Sequence, residues 1–237
     1  MSIPTIKEAI ILAGGLGTRL RSSVPDLPKC MAPVGGRPFI GWITDYFRRA
    51  GIEHFVFALG YKSAAFDAFF RDYFPLRDYT VSLEAEPLGT GGAIRQACTM
   101  AREKTVLVLN GDTFFRIGLA ALSAFHEDRR ADCTLCLKPM REFDRFGVVE
   151  QDTDQRVSRF REKQAYHEGL INGGVYALDR ESFLREDLPP VFSFEKDYLE
   201  QMLDKRRIYG LVQNDFFIDI GIPEDYQRVQ SAINQLL

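Results

Sequence analysis

The stretch Ile11–Leu20, ILAGGLGTRL, passes from apolar residues straight into Gly14, Gly15 and Gly17, then a threonine and an arginine. An apolar run that stops at glycines reads as a buried strand feeding a tight loop. Without Cβ atoms, the loop's N–H groups can turn inward and cradle an anion. Two familiar anion loops do not fit. A Walker loop needs GxxxxGK[ST], which is absent. A dinucleotide fingerprint starting at Gly15 would need a third glycine where Leu20 stands, and the next apolar run, HFVFALG, ends without an acid to hold a ribose. That omission counts against a dinucleotide-dependent dehydrogenase.

Outward from this loop, apolar runs of strand length recur at 9–13, 54–59, 79–85, 105–110 and 133–137. Helical patterns fill the intervals at 39–50, 64–73, 92–102 and 119–128. Such alternation predicts an α/β fold, Rossmann-like and doubly wound, with a mostly parallel mixed sheet. From 146 to 178 the pattern changes to short strands with turns, FGVVEQDTDQRVSRF and GLINGGVYAL, which predicts a small antiparallel patch laid over that sheet. Helical signals return at 194–204 and 223–234, with strand-like IYGLV and FFIDI between them. No repeat or linker interrupts the chain, so residues 1–237 read as a single domain, about 1–115 serving one half of a site and about 116–237 the other.

In open parallel sheets, ligands bind beyond the carboxyl ends of strands, where the winding reverses. Gly14 follows the first strand there, and Gly111 and Asp112 follow the fourth, which ends at Asn110. Bulk properties exclude other classes. The chain carries 30 basic and 33 acidic residues, net charge −3, with no long basic run, so a nucleic-acid groove has no support. No window of about 18 apolar residues exists, and MSIPTIKEA lacks a secretory pattern. The expectation is a cytoplasmic protein with no membrane partner. Cys133 and Cys136 form a CxxC, but in the alternating ADCTLCLK positions three apart face opposite ways, so they read as ordinary strand residues.

Five residues past Gly14 comes Arg19, and VPDLPKCMAPV then stiffens the chain with prolines around Lys29. Glycines plus two held cations suit a triphosphate. LAGGLGTRL followed by PK resembles the signature of the sugar-1-phosphate nucleotidylyltransferases, and the resemblance runs over essentially the whole chain. It implies a nucleotidyltransferase (GT-A-like) fold and attack of a sugar 1-phosphate on the α-phosphorus of a nucleoside triphosphate. In that pattern Leu12, Ala13, Gly14, Gly15, Gly17, Thr18, Asn110 and Gly111 contact the nucleotide, Arg19 and Lys29 its phosphates, and Asp112 and Asp219 hold Mg²⁺. Magnesium is bound through one or two carboxylates plus substrate phosphates, and each aspartate follows an apolar run, where an unpaired charge is costly. Lys163 would hold the sugar's phosphate and Glu162 its hydroxyls, with Gly147, Asn172 and Gly173 completing the sugar pocket.

The segment EAEPLGTGGAIRQA puts Gly89, Thr90 and Gly91 before a helix, and members of the family read the base with this loop. Glycine there would let a flat base lie against backbone. Glu86 could accept from guanine N1–H and N2–H₂, a donor pair that uracil lacks, which favours GTP. Within the family, EPLGTGGAI, LNGDTFF, DRFGVV, GLINGGVYAL, FSFEKDYLE and FIDIGIPEDY resemble the D-glycero-α-D-manno-heptose 1-phosphate guanylyltransferases. Relatives acting on mannose 1-phosphate or N-acetylmuramate 1-phosphate share most of these motifs. Cys30 departs from the proline that usually follows the signature lysine. His54, His126 and His167 lie in no motif, and no GxSxG elbow is present, so hydrolase and acyl-transfer chemistry lack support. A sugar phosphate, largely dianionic at neutral pH with a second pKa of about 6, needs no general base. A non-catalytic sensor of nucleotide sugars should have lost some of Arg19, Lys29, Asp112, Asp219 and Lys163, and all five are present. The absence of a β-helix pattern at the C-terminus argues against a bifunctional chain; oligomeric state leaves no signal in the sequence.

Overall fold

The computed structural model describes residues 6–15, 27–60, 62–76 and 78–232. At its centre β1 (Glu8–Leu12) pairs in parallel with β4 (His54–Leu59) on one side and β6 (Thr105–Asn110) on the other. Ala9 and Ile11 enter one apolar core and Ile10 the other. A strand covered on both faces must be apolar at successive positions, which is why EAIIL reads as an unbroken run.

The seven-stranded sheet has the order β12-β8-β11-β6-β1-β4-β5, with β5 (Tyr79–Leu83) at one edge. β8 spans Cys133–Phe143, β11 Tyr166–Asp179 and β12 Ile208–Val212. β11 runs antiparallel to both neighbours, while every other pairing in the sheet is parallel. The chain winds outward from β1 to β4 and β5, then returns to place β6 on β1's other side. The reversal therefore falls between β1 and β6, where a ligand is expected.

Helices cover both faces. α1 (Phe39–Ala50), α2 (Asp67–Tyr73), α4 (Leu119–Asp128) and α6 (Pro223–Ser231) contribute Phe39, Phe70, Leu122 and Val229 to one core. α3 (Gly89–Cys98), α5 (Arg180–Leu184) and a π-helical stretch, Phe194–Glu200, contribute Ala97, Phe183 and Tyr198 to the other. α1 lies where its apolar spacing predicts, and Gly51, at φ 116°, ends it in the left-handed conformation common after helices. The helix expected over 64–73 divides into a 3₁₀ turn, Ser63–Phe66, and α2. α3 begins and ends earlier than its pattern suggests.

The antiparallel patch is smaller than the sequence implied. β9 (Val149–Gln151) and β10 (Val157–Phe160) form it. GLINGGVYAL instead belongs to β11, a 14-residue strand inserted into the main sheet. Val175–Leu178 are buried at every position, as a central strand requires, and the glycines that read as a turn accompany a register shift between Asn172 and Tyr176. Two short pairs complete the fold: β2 (Pro33–Val34) with β3 (Arg37–Pro38), and β7 (Thr113–Phe115) with β13 (Phe217–Asp219). Cys133 and Cys136 are buried in different cores, as strand geometry requires. Among the described residues, no helix is long and apolar enough to cross a membrane.

Candidate active site

A cavity of about 700 Å³ opens at the carboxyl ends of β1 and β6. That volume suits a drug-sized or nucleotide-sized ligand. Of the residues expected to bind nucleotide or phosphate, Leu12, Ala13, Gly14, Gly15, Lys29, Glu86, Gly89, Thr90, Asn110 and Asp112 line it. Gly17, Thr18 and Arg19 lie outside the described residues.

The glycines have distinct tasks. A Cβ on Gly14 would come within 3.0 Å of both Glu84 Oε1 and Gly60 N, whereas one on Gly15 would meet nothing within 4 Å. Gly14 is therefore required by its neighbours, and Gly15 fronts open space. Gly111 lies pressed on the end of β1, where a Cβ would sit 2.6 Å from Leu12 O. The Gly89–Gly92 segment differs from expectation. A Cβ on Gly91 would lie 2.2 Å from the Phe192 ring, and one on Gly89 2.5 Å from Phe192 O. These glycines make room for the strap Pro190–Phe192, which also bonds them through Gly91 N to Phe192 O (2.9 Å) and Phe192 N to Leu88 O (3.1 Å).

Behind Lys29 and Asp112 of the lining, the β7–β13 pairing sets Asp219, which does not itself line the cavity, opposite Thr113. Asp112 and Asp219, distant in sequence, are thereby brought onto one cation: Lys29 Nζ lies 2.5 Å from Asp112 Oδ2 and 3.6 Å from Asp219 Oδ1. Lys29 opens a 3₁₀ turn, Lys29–Met31, set between Pro28 and Pro33. Gly221 N donates to Asp219 Oδ1 at 2.6 Å. Burial raises Asp219's carboxyl above its ordinary range and the charge of Asp112 adds to this, with Lys29 opposing. Two hard oxygen donors converging on a cationic position fit Mg²⁺, which completes its shell with water and substrate phosphates. Among the described residues no cluster of three or more His, Cys, Asp or Glu side chains is placed to hold a metal.

The sugar-side candidates stand apart from this cavity's lining. Glu162 and Lys163 are exposed in the segment after β10. Gly147 is packed so that a Cβ would lie 2.4 Å from Arg161 O, and Gly173 so that one would enter the Phe115 ring. Asn172 Nδ2 donates to Tyr176 Oη at 2.8 Å, and its Oδ1 accepts from Gly174 N at 3.1 Å. Gly174, at φ +69°, lies against the Asn110 side chain, which links β11 to the cavity wall.

Sequence reasoning missed two carboxylates in the lining, Glu84 and Glu195. Glu84 Oε2 accepts from Leu88 N at 2.9 Å, which shapes the loop before α3. A carboxylate just past a strand end was the signal for Asp112, and Glu84, directly after β5, shows the same signal.

A family model described as nucleotidyl transferase matches residues 8–235. The chain is 44% identical to D-glycero-alpha-D-manno-heptose 1-phosphate guanylyltransferase of Aneurinibacillus thermoaerophilus, covering 97% of this chain and 100% of that one. It is 42% identical to the protein of the same name from Campylobacter jejuni, covering 92% and 96% respectively. The crystal structure of HddC from Yersinia pseudotuberculosis complexed with GMP-PN superposes with a TM-score of 0.85 at 32% identity, covering 96% of this chain and all of that one.

Proposed function

The chain belongs to the nucleotidyl transferase family, and from that premise we propose that it transfers GMP from GTP to D-glycero-α-D-manno-heptose 1-phosphate, releasing pyrophosphate. The names of its relatives favour the guanylyl group and the heptose substrate. The observation that carries the chemistry is Lys29 shared between Asp112 and Asp219, with Lys29 and Asp112 lining the same cavity as Gly14 and Gly15. A phosphate nucleophile and a triphosphate repel each other, so positioning and charge compensation must supply most of the catalysis.

Each residue then has a task. The N–H groups of the glycine loop hold the triphosphate, and Arg19 takes its share of the charge on the β- and γ-phosphates. Lys29 lies where it can turn from the carboxylates to the α-phosphate. Asp112 and Asp219 would hold Mg²⁺, which neutralises charge on α-phosphate oxygens when bound. Lys163 holds the sugar phosphate, whose oxygen attacks phosphorus in line while pyrophosphate leaves. Glu162, Asn172, Gly147 and Gly173 form the sugar side, reached as the substrate spans the cavity mouth. Guanine lies against the loop before α3, where Glu86 at the rim and the more buried Glu84 are the carboxylates able to accept from N1–H and N2–H₂. The whole chain forms one nucleotidyltransferase unit working in the cytoplasm.

The test is pyrophosphate release by the purified protein with Mg²⁺, crossing the four NTPs with heptose, mannose, glucose and N-acetylmuramate 1-phosphates. Turnover confined to GTP with the heptose phosphate is the expected result. Turnover with UTP or dTTP alone overturns the guanine assignment, and silence with every pair overturns the reaction.

A further inference from the structure

The cavity is built for an anion yet is rich in carboxylates. Its described lining holds Glu84, Glu86, Asp112 and Glu195 against one ammonium, Lys29. A carboxylate facing a polyphosphate is destabilised unless it meets a donor or a cation. Asp112 has Lys29. Glu84 accepts from the Leu88 N–H, and Glu86 is exposed at the rim. Glu195 is half-buried, lines the cavity from the π-helical stretch, and has no role in the reaction proposed above.

Its setting is specific. Thr90 Oγ1 donates to Glu195 Oε2 at 2.8 Å, and Ser193 Oγ donates to the same oxygen at 3.2 Å. Thr90 Oγ1 is itself fixed by accepting from Phe194 N at 2.8 Å. One oxygen is thus anchored by two hydroxyls, and no hydrogen bond within the described residues engages the other, Oε1. The charge of Glu195 is also felt across the wall. After burial, it is the next cause holding the Tyr176 hydroxyl well above its ordinary pKa. Tyr176 in turn bonds Asn172. Glu195 therefore stands between the first turn of α3 and the β11 bulge.

We propose that Glu195 determines specificity by accepting, at Oε1, a hydrogen bond from a carbohydrate hydroxyl of the bound substrates. This rests on the nucleotidyl-transfer reading. The hydroxyl belongs either to the sugar 1-phosphate or to the nucleotide ribose. A hydroxyl is the donor both can offer, and an acceptor already tethered on its second oxygen loses little rotamer freedom on binding it.

Glu195→Gln keeps an oxygen for Thr90 and removes the charged acceptor. With parent substrates it should lower kcat/KM by about 10- to 100-fold, the scale of one hydrogen bond to a charged group. The decisive readout is selectivity against deoxy analogues. If a deoxy-sugar 1-phosphate, or 2′- or 3′-deoxy-GTP, reacts equally with wild type and variant while the parent does not, the missing hydroxyl is the one read. A loss equal for every analogue means that Glu195 only props Thr90, and overturns the proposal, as does an unchanged variant. Thr90→Val supplies the comparison for propping, with a uniform and smaller loss. Should wild type release no pyrophosphate from any pair, the reaction fails separately. Calorimetry with GDP-mannose and GMP then decides Glu195. Weakened GDP-mannose binding by the variant with GMP unchanged places the hydroxyl on the sugar, and weakening of both by the same factor places it on the ribose. Equal affinities of wild type and variant for each, or no binding by wild type, overturn the proposal.

Discussion

Lys29 ties Asp112 to Asp219: the two carboxylates repel in a partly buried setting, and the ammonium between them offsets part of that cost. Asp112→Asn leaves this cluster one negative charge short. Assayed at saturating Mg²⁺, it should turn over on the order of 10²–10³ more slowly, the cost of losing a preorganised electrostatic group; a near wild-type rate would sink the metal assignment. His126 offers a second test at this scale, away from the cavity. It is 5% exposed, its Nδ1 lies 3.0 Å from Thr134 Oγ1, and burial pushes its pKa down to about 4 against the pull of Asp179 and Asp132. The folded state thus refuses a proton that the unfolded chain accepts near pH 6.5. The stabilisation is complete above about pH 7 and is lost as pH falls from about 6.5 to about 4, a loss of about 3.5 kcal/mol at about 1.4 kcal/mol per pH unit. Urea unfolding across this range should show a shallower decline for His126→Gln than for wild type. Both aspartates were legible in the sequence as candidates through the family resemblance, and each follows an apolar run. Glu195 was not, since an acid in FSFEKDYLE is indistinguishable from a solvated charge until the fold puts Thr90 beside it.

Elements show where pattern suffices and where tertiary contact decides. β1, β4, β6, α1 and α4 follow from periodicity alone, because both the covered strands and the amphipathic helices carry their burial in residue spacing. β11 does not. Its glycines carry the local signal of a turn, and only pairing with β6 and β8 reveals a bulged central strand. The Gly89–Gly92 segment is a similar case: its glycines suggest a surface for a flat ligand, yet Gly91 and Gly89 are small because the Pro190–Phe192 strap crosses them. Gly91→Ala should therefore destabilise the protein by about 1–3 kcal/mol, as overpacking does, and raise the KM for GTP by displacing the loop. Adding Phe192→Leu to Gly91→Ala should recover part of the stability in urea unfolding. No recovery would place the strain elsewhere.

Across the whole molecule, the strap ties α3 and Leu88 just before it to the chain after α5. Besides the two backbone bonds to Phe192, Arg95 Nη1 donates to Leu188 O at 2.8 Å and Nη2 to Pro189 O at 2.9 Å, while Thr90 bonds Phe194 N and Glu195. Residues expected to read the nucleotide are thus fastened to the half expected to hold the sugar, a connection that no pattern in either half announces. Nucleotide binding should consequently order more than its own contacts. At a hundred times Kd, Mg·GTP stabilises a folded state by about 2.7 kcal/mol, which for a chain of this size raises Tm by about 5–10 °C. Hydrogen exchange under the same conditions should slow at Gly91 and Phe192 N–H and also across 194–200, well beyond the phosphate loop. Protection confined to the ends of β1 and β6 would show that the strap is a passive staple and that the two halves bind independently.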